Sequence, residues 1–155
     1  MVIRNLRLSK LKKLFRNRDI EMTEIFSQVE EDYLLGKIVK PGNFKSRVDL
    51  TPSDALLQIS AINFTKSQEV KNHRHLPLHR ETVGTSEIWL VTKGKFLATV
   101  FDTDDSKLGE FIVGMGELVV FFGGGHSLIA KSNNARILEI KNGPYKGADL
   151  DKVYI

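Results

Sequence analysis

Hydrophobic positions change their rhythm along this chain. Leu8, Leu11 and Phe15 recur at helical spacing, which predicts an amphipathic helix over residues 4–17 with basic side chains on its other faces. Met22, Ile25, Phe26, Val29 and Tyr33 repeat the spacing of three and four and predict a second helix over 22–33 that Gly36 stops. Pro41-Gly42-Asn43 and Thr51-Pro52-Ser53-Asp54 are turn chemistry, and after them the pattern shortens to β-rich runs. The runs cover 55–64, 68–75, 87–92, 95–101, 110–113, 117–122, 126–130 and 135–141. With no helical pattern among them, they predict an antiparallel barrel or sandwich. Lys93-Gly94 and the polar stretch 102–106 both predict hairpins. Gly123-Gly124-Gly125 predicts a tight turn at positive φ rather than a phosphate cradle, because neither a helical pattern nor a Lys-Ser/Thr pair follows it. The chain thus divides into a basic, helical accessory segment, 1–50, and a β domain, 51–155.

Composition narrows the class. The 155 residues are 41% hydrophobic, enough to bury a core, and no apolar run approaches the ~20 residues that span a bilayer. The absence of cysteine excludes a disulfide scaffold, thiolate zinc sites, iron–sulfur ligation and a cysteine nucleophile, and makes a reducing, cytoplasmic setting the expectation. The formal net charge of +4 comes from one end: Arg4, Arg7, Lys10, Lys12, Lys13, Arg16 and Arg18 precede any acidic residue, which leaves 16 basic against 19 acidic residues in the remainder. The body is therefore not a nucleic-acid-binding surface. The basic segment is expected to dock on its own domain with its charged face in water, contact with a membrane surface being the alternative.

The chemistry centres on four histidines. In an extended strand His73 and His75 project to the same side with backbones about 7 Å apart, so their imidazoles can converge on one ion. Glu87 opens the run Glu87-Ile88-Trp89-Leu90-Val91, where an interior carboxylate needs a proton, cation or metal as partner. His126 follows the triple glycine and starts another run. Closure of the sheet brings such distant side chains to one interior point. His79 competes for a ligand position, because Leu76-Pro77-Leu78 can fold it back toward the site, and Glu81 shares its loop. Arg80 can hold a carboxylate or phosphate through its planar fork, or simply pair with Glu81 in solvent.

His-x-His, then Glu followed by Gly after six residues, then Gly, a glycine turn and His resembles the two motifs of the cupin superfamily, on His73, His75, Glu87, Gly94, Gly116 and His126. The resemblance implies a single jelly-roll (double-stranded β-helix) barrel in which His73, His75, Glu87 and His126 hold one divalent ion, with His79 in reserve. Imidazole and carboxylate donors suit Fe, Mn, Ni or Zn alike. Glu139-Ile140-Lys141-Asn142-Gly143-Pro144-Tyr145 is similar to the closing segment of small cupins that accompany bacterial surface-polysaccharide and sugar-modifying pathways. That likeness implies a sugar or nucleotide-linked sugar as small-molecule substrate, with isomerase or epimerase chemistry and His79, Glu81 or Tyr145 as proton-transfer groups. A metal-free epimerase, an iron-dependent dioxygenase and a non-catalytic sugar-binding or regulatory cupin are the alternatives. A homodimer is also implied.

Overall fold

A computed structural model describes residues 14–17 and 20–155. The described residues form β1 (Leu14–Asn17), β2 (Ile20–Phe26), β3 (Leu34–Pro41), β4 (Val48–Asp49), β5 (Ser60–Ala61), β6 (Glu87–Lys93), β7 (Lys95–Phe101), β8 (Lys107–Gly114), β9 (Leu118–Phe121), β10 (Gly125–Ala130), β11 (Arg136–Lys141) and one short helix, α1 (Ala148–Asp151). The fold is mainly β and its pairings are antiparallel. A six-stranded sheet runs β1-β2-β3-β9-β6-β11, a three-stranded sheet runs β10-β7-β8, and β4 pairs with β5 in a small ribbon. Among the described residues no helix is long and apolar enough to cross a membrane.

The main core lies between the two larger sheets. Ile25, Ile38, Trp89, Val91, Val119 and Phe121 of the six-stranded sheet meet Phe96, Ala98, Val100 and Val113 of the three-stranded one. These are alternate residues of β6, β7 and β9, as a pleated strand with one face inward requires. Each fully buried large side chain stabilises the fold by roughly 2 kcal/mol relative to exposure. A second cluster, built on Ile20, Val39 and Leu50, occupies the opposite face of β2 and β3 and is covered by Val48 and Ala61 of the ribbon.

That second cluster explains a correction. Residues 22–33 are not a helix: Ile20–Phe26 is a strand, Ser27–Tyr33 a connection, and Leu34–Pro41 the returning strand. Because β2 and β3 bury both faces, their apolar residues do not alternate cleanly, and the sequence imitates a helical period. Glu24 and Lys37 face each other across the pair and form an ion pair of 2.8 Å with only 13% and 11% of their side chains exposed. Gly36 stops nothing. It sits in β3 opposite Phe121, where an added Cβ would lie 2.6 Å from the Val120 carbonyl oxygen, so glycine lets β3 approach β9. Of the helix expected over 4–17, residues 14–17 form β1 instead, and Leu8, Leu11 and most of the basic cluster lie outside the described residues. Through β3 and β9 the strands before residue 50 share one sheet with those after it.

Two turns move the chain from one sheet to the other. Lys93-Gly94 does not close a hairpin, because β6 belongs to the six-stranded sheet and β7 to the three-stranded one. Gly94, at φ 77°, turns the backbone through a corner packed against Ser132 and Ala135. The triple glycine acts likewise between β9 and β10, with Gly124 at φ 67° as expected. The stretch 102–106 does close the β7–β8 hairpin.

Two of the expected strands are reduced or missing. Only Ser60–Ala61 of 55–64 is paired, because Gln58 Nε2 donates to the carbonyls of Pro52, Ser53 and Ala55 and holds that stretch as a turn. Residues 62–86 contain neither strand nor helix, and 62–85 are exposed throughout. The run 68–75 has one large apolar residue, Val70, so it has no hydrophobic face to bury in a sheet.

Candidate functional site

Glu87 and His126 meet between the two larger sheets. Glu87 begins β6 and shares its face with Trp89 and Val91 of the core, while His126, the second residue of β10, lies opposite Val100 of β7 and faces inward with it. His126 Nε2 is 3.5 Å from Glu87 Oε2, and Trp89 Nε1 donates to Glu87 Oε1. The imidazole stacks on Phe121, with centroids 4.1 Å apart and planes 15° from parallel, and Trp89 meets it edge-on at 5.0 Å. His126 Nδ1 is buried without a hydrogen-bond partner, an atom that burial makes costly unless something fills its valence. The aromatic walls fix the ring while the carboxylate supplies charge.

Lys141 completes the polar rim. It is the last residue of β11 and lies directly opposite Glu87 in the strand register, so the two side chains leave the same face of the sheet. Its Nζ is 3.2 Å from Asp151 Oδ2, 3.7 Å from Glu139 Oε1, and 4.3 Å from the centre of the Tyr145 ring. Burial pushes the Glu87 carboxyl up, but the His126 imidazole, the Trp89 indole and the Lys141 charge outweigh it and hold the group below its ordinary value. Hydrogen bonding to Asp151 raises the Lys141 ammonium against the cost of burial, with Asp151, Glu139 and Glu87 adding to the rise by their charges.

The remaining expected residues lie elsewhere. His73 and His75 are exposed on the 62–86 segment with ring centroids 5.2 Å apart, and His73 Nδ1 is 2.8 Å from the Lys71 carbonyl oxygen. His79, Arg80 and Glu81 are exposed on the same segment, with no ion pair joining Arg80 to Glu81. Tyr145 is half-exposed under Lys141. The structure therefore brings Glu87 to His126 and His73 to His75, but among the described residues no three His, Asp or Glu side chains form one metal-holding group. The segment ends near the first pair: the backbone N–H of Ser86 donates to Asn142 Oδ1 at 2.7 Å, and Asn142 Nδ2 donates to the Gly84 carbonyl.

Lys141 and Asp151 escaped the sequence reading. The signal for Lys141 was present, since it follows Ile137 and Glu139 at the strand period and Ile137 is apolar enough to mark the inward face. Nothing in the sequence marked Asp151. Comparison of the chain with protein-family models, with curated proteins and with solved structures finds no match.

Proposed function

We propose that this chain is a metal-binding protein of the cupin type that acts on a small polar substrate, a sugar or nucleotide-linked sugar, as an isomerase or epimerase. The observation that carries the reading is the Glu87–His126 pair: a carboxylate and an imidazole from different sheets, each side chain mostly buried, with the Nδ1 of His126 lacking a partner. The donor chemistry fits a divalent ion of the Fe, Mn, Ni or Zn group. His73 fits as well, since a proton on Nδ1 directed at the Lys71 carbonyl leaves its Nε2 lone pair available. On this reading the exposed 62–85 segment folds onto the pair and adds His73 and His75, or His79, to Glu87 and His126.

A bound ion supplies Lewis acidity toward a carbonyl or a pair of hydroxyls. The other work belongs to the chain. Trp89 orients the Glu87 carboxylate, Phe121 fixes the His126 plane and excludes water from it, and Tyr145, His79 or Glu81 moves the proton. Arg80 holds an anionic part of the substrate. A homodimer accompanies this reading, supported by Leu138 and Ile140, which stand exposed on the edge strand β11.

The test is the metal content of purified protein by elemental analysis, in wild type and in the His73→Ala and His126→Ala variants. Trp89 is the only tryptophan of the chain, so its emission should also shift as Mn, Ni or Zn is titrated into metal-stripped protein. Substoichiometric metal in reconstituted wild type, or full occupancy in both variants, overturns the proposal. A metal-free reading, in which His126 is a base supported by Glu87, rests on the 3.5 Å approach of the two groups. Turnover of a nucleotide sugar that survives exhaustive chelation would favour it.

A further inference from the structure

The segment after β11 runs past the Glu87–His126 pair. It leaves the edge of the six-stranded sheet at Lys141, passes through α1, and brings Ile155 against Gly125, the first residue of β10 in the other sheet. The contact is close enough that a Cβ on Gly125 would lie 2.6 Å from Ile155 Cδ1. Gly125 immediately precedes His126, so the two ends of this strap flank the Glu87–His126 pair. Its middle is fastened through one charged contact: Asp151 Oδ2 lies 3.2 Å from Lys141 Nζ, with 19% and 18% of the two side chains exposed.

Asn142 fastens the start of the strap through its hydrogen bonds with Ser86 and Gly84, and the Tyr145 ring lies 4.3 Å from Lys141 Nζ; beyond them the strap is loosely held. Val153, Tyr154 and Leu150 are between 79% and 87% exposed, and α1 has no side-chain hydrogen bond at its N-terminal cap and no buried residue. Lys141 is the cation whose backbone position faces Glu87 across the β6–β11 pair, and Glu87 is already engaged by His126 and Trp89. Glu139, the other carboxylate near Lys141, stands farther off at 3.7 Å and is half-exposed. The carboxylate that occupies Lys141 is thus carried on a short helix with no buried residue.

We infer that Asp151 stands in for the carboxylate of an acidic small-molecule ligand: it occupies Lys141 and holds the 142–155 strap beside the Glu87–His126 pair until such a ligand displaces it. Lys141 is then the residue that selects a carboxylate-bearing sugar over its neutral counterpart, and the strap is an internal competitor for the same cation. This inference rests on the surroundings of Glu87 and His126 being the binding site, and it does not require the metal.

The experiment titrates glucuronate and glucose into wild type, Asp151→Asn, Asp151→Ala and Lys141→Met by calorimetry, with hydrogen exchange followed over 142–155. A strap closed about nine-tenths of the time lowers the apparent affinity roughly tenfold, so both Asp151 variants should bind glucuronate about tenfold more tightly than wild type. Exchange over 148–155 should rise in those variants and in wild type saturated with glucuronate. Lys141→Met should lose the preference for glucuronate over glucose. Equal glucuronate affinity in wild type and both Asp151 variants overturns the inference, as does binding of neither sugar by any variant, even where wild type binds metal. Tightened glucuronate binding in protein that takes up no metal sustains the strap and removes the metal proposal.

Discussion

Asp102 Oδ1 accepts a hydrogen bond from Ser27 Oγ at 2.5 Å, across 75 residues of sequence, and the carboxylate is fully buried. The backbone N–H groups of Gln28 and Thr103 also donate to it, at 2.6 and 2.8 Å. Ser27 Oγ in turn accepts from the N–H groups of Val29 and Glu30. One carboxylate therefore ties the β7–β8 hairpin to the β2–β3 connection and satisfies backbone donors in both. Replacing Asp102 with alanine leaves the buried Ser27 hydroxyl and the part-buried N–H groups of Gln28 and Thr103 without their acceptor and should destabilise the protein by about 3 kcal/mol, read as a lowered midpoint in urea. Ser27→Ala should cost about 1 kcal/mol. Equal midpoints for Asp102→Ala and wild type would show that water replaces the carboxylate at no cost.

The same contact sets a pH dependence. Burial pushes the Asp102 carboxyl up, but the Ser27 hydroxyl and the N–H groups of Gln28, Thr103 and Val29 outweigh it and hold it below its ordinary value. Glu87 is lowered as well. The unfolded chain thus binds protons first, so this part of the stability is complete above pH ~4 and disappears as pH falls through the lower folded values. Denaturation midpoints between pH 2 and 6 should fall on acidification in wild type, and the fall should be shallower in Asp102→Ala.

The candidate site should cost stability. His126 carries a buried unpartnered nitrogen, and Glu87 is a charged group at the edge of an aromatic cluster. In the double variant Glu87→Gln with His126→Phe, the amide keeps an acceptor for Trp89 and the phenyl ring keeps the stack on Phe121. It should be about 1 kcal/mol more stable than metal-free wild type while losing metal and ligand binding. A melting temperature below that of wild type would mean that the pair serves folding.

The close approach of β3 and β9 makes Gly36 intolerant of any side chain. The methyl of alanine would press on the Val120 carbonyl oxygen in the middle of the large sheet, where neither backbone can yield without disturbing its ladder. Gly36→Ala should destabilise by about 3 kcal/mol, measured by chemical denaturation. A loss below 0.5 kcal/mol would show that the pair separates freely.

What the sequence disclosed follows from how each strand is buried. Lys95–Phe101 and Leu118–Phe121 are flanked by glycine or polar turns and rich in β-branched or aromatic residues, and both were legible. Ile20–Phe26 was not, because its buried residues Ile20 and Ile25 point to opposite faces of the strand while Met22, Ile25 and Phe26 recur at a spacing of three and four that imitates a helix. Lys93-Gly94 reads as a hairpin locally, and only the pairing of β6 with β9 and β11 shows that it turns a corner between sheets. Glu87 and His126 could be paired from their places at the starts of two inward-facing runs. The position of the 62–86 segment depends on contacts that its own residues do not encode locally, since it carries no apolar stripe of regular period.

The partnership of β3 with β9 has a consequence for synthesis. As the chain leaves the ribosome, β2 and β3 have only each other and β1 to pair with, and the edge of β3 that β9 later covers is open along a row of unpaired N–H and C=O groups. Among the described residues, no strand made before residue 118 pairs with it. The nascent protein therefore spends about half of its translation as an apolar hairpin with an adhesive border, the species for which holding chaperones exist, and the late arrival of Leu118–Phe121 is the event that makes the young chain safe from its neighbours.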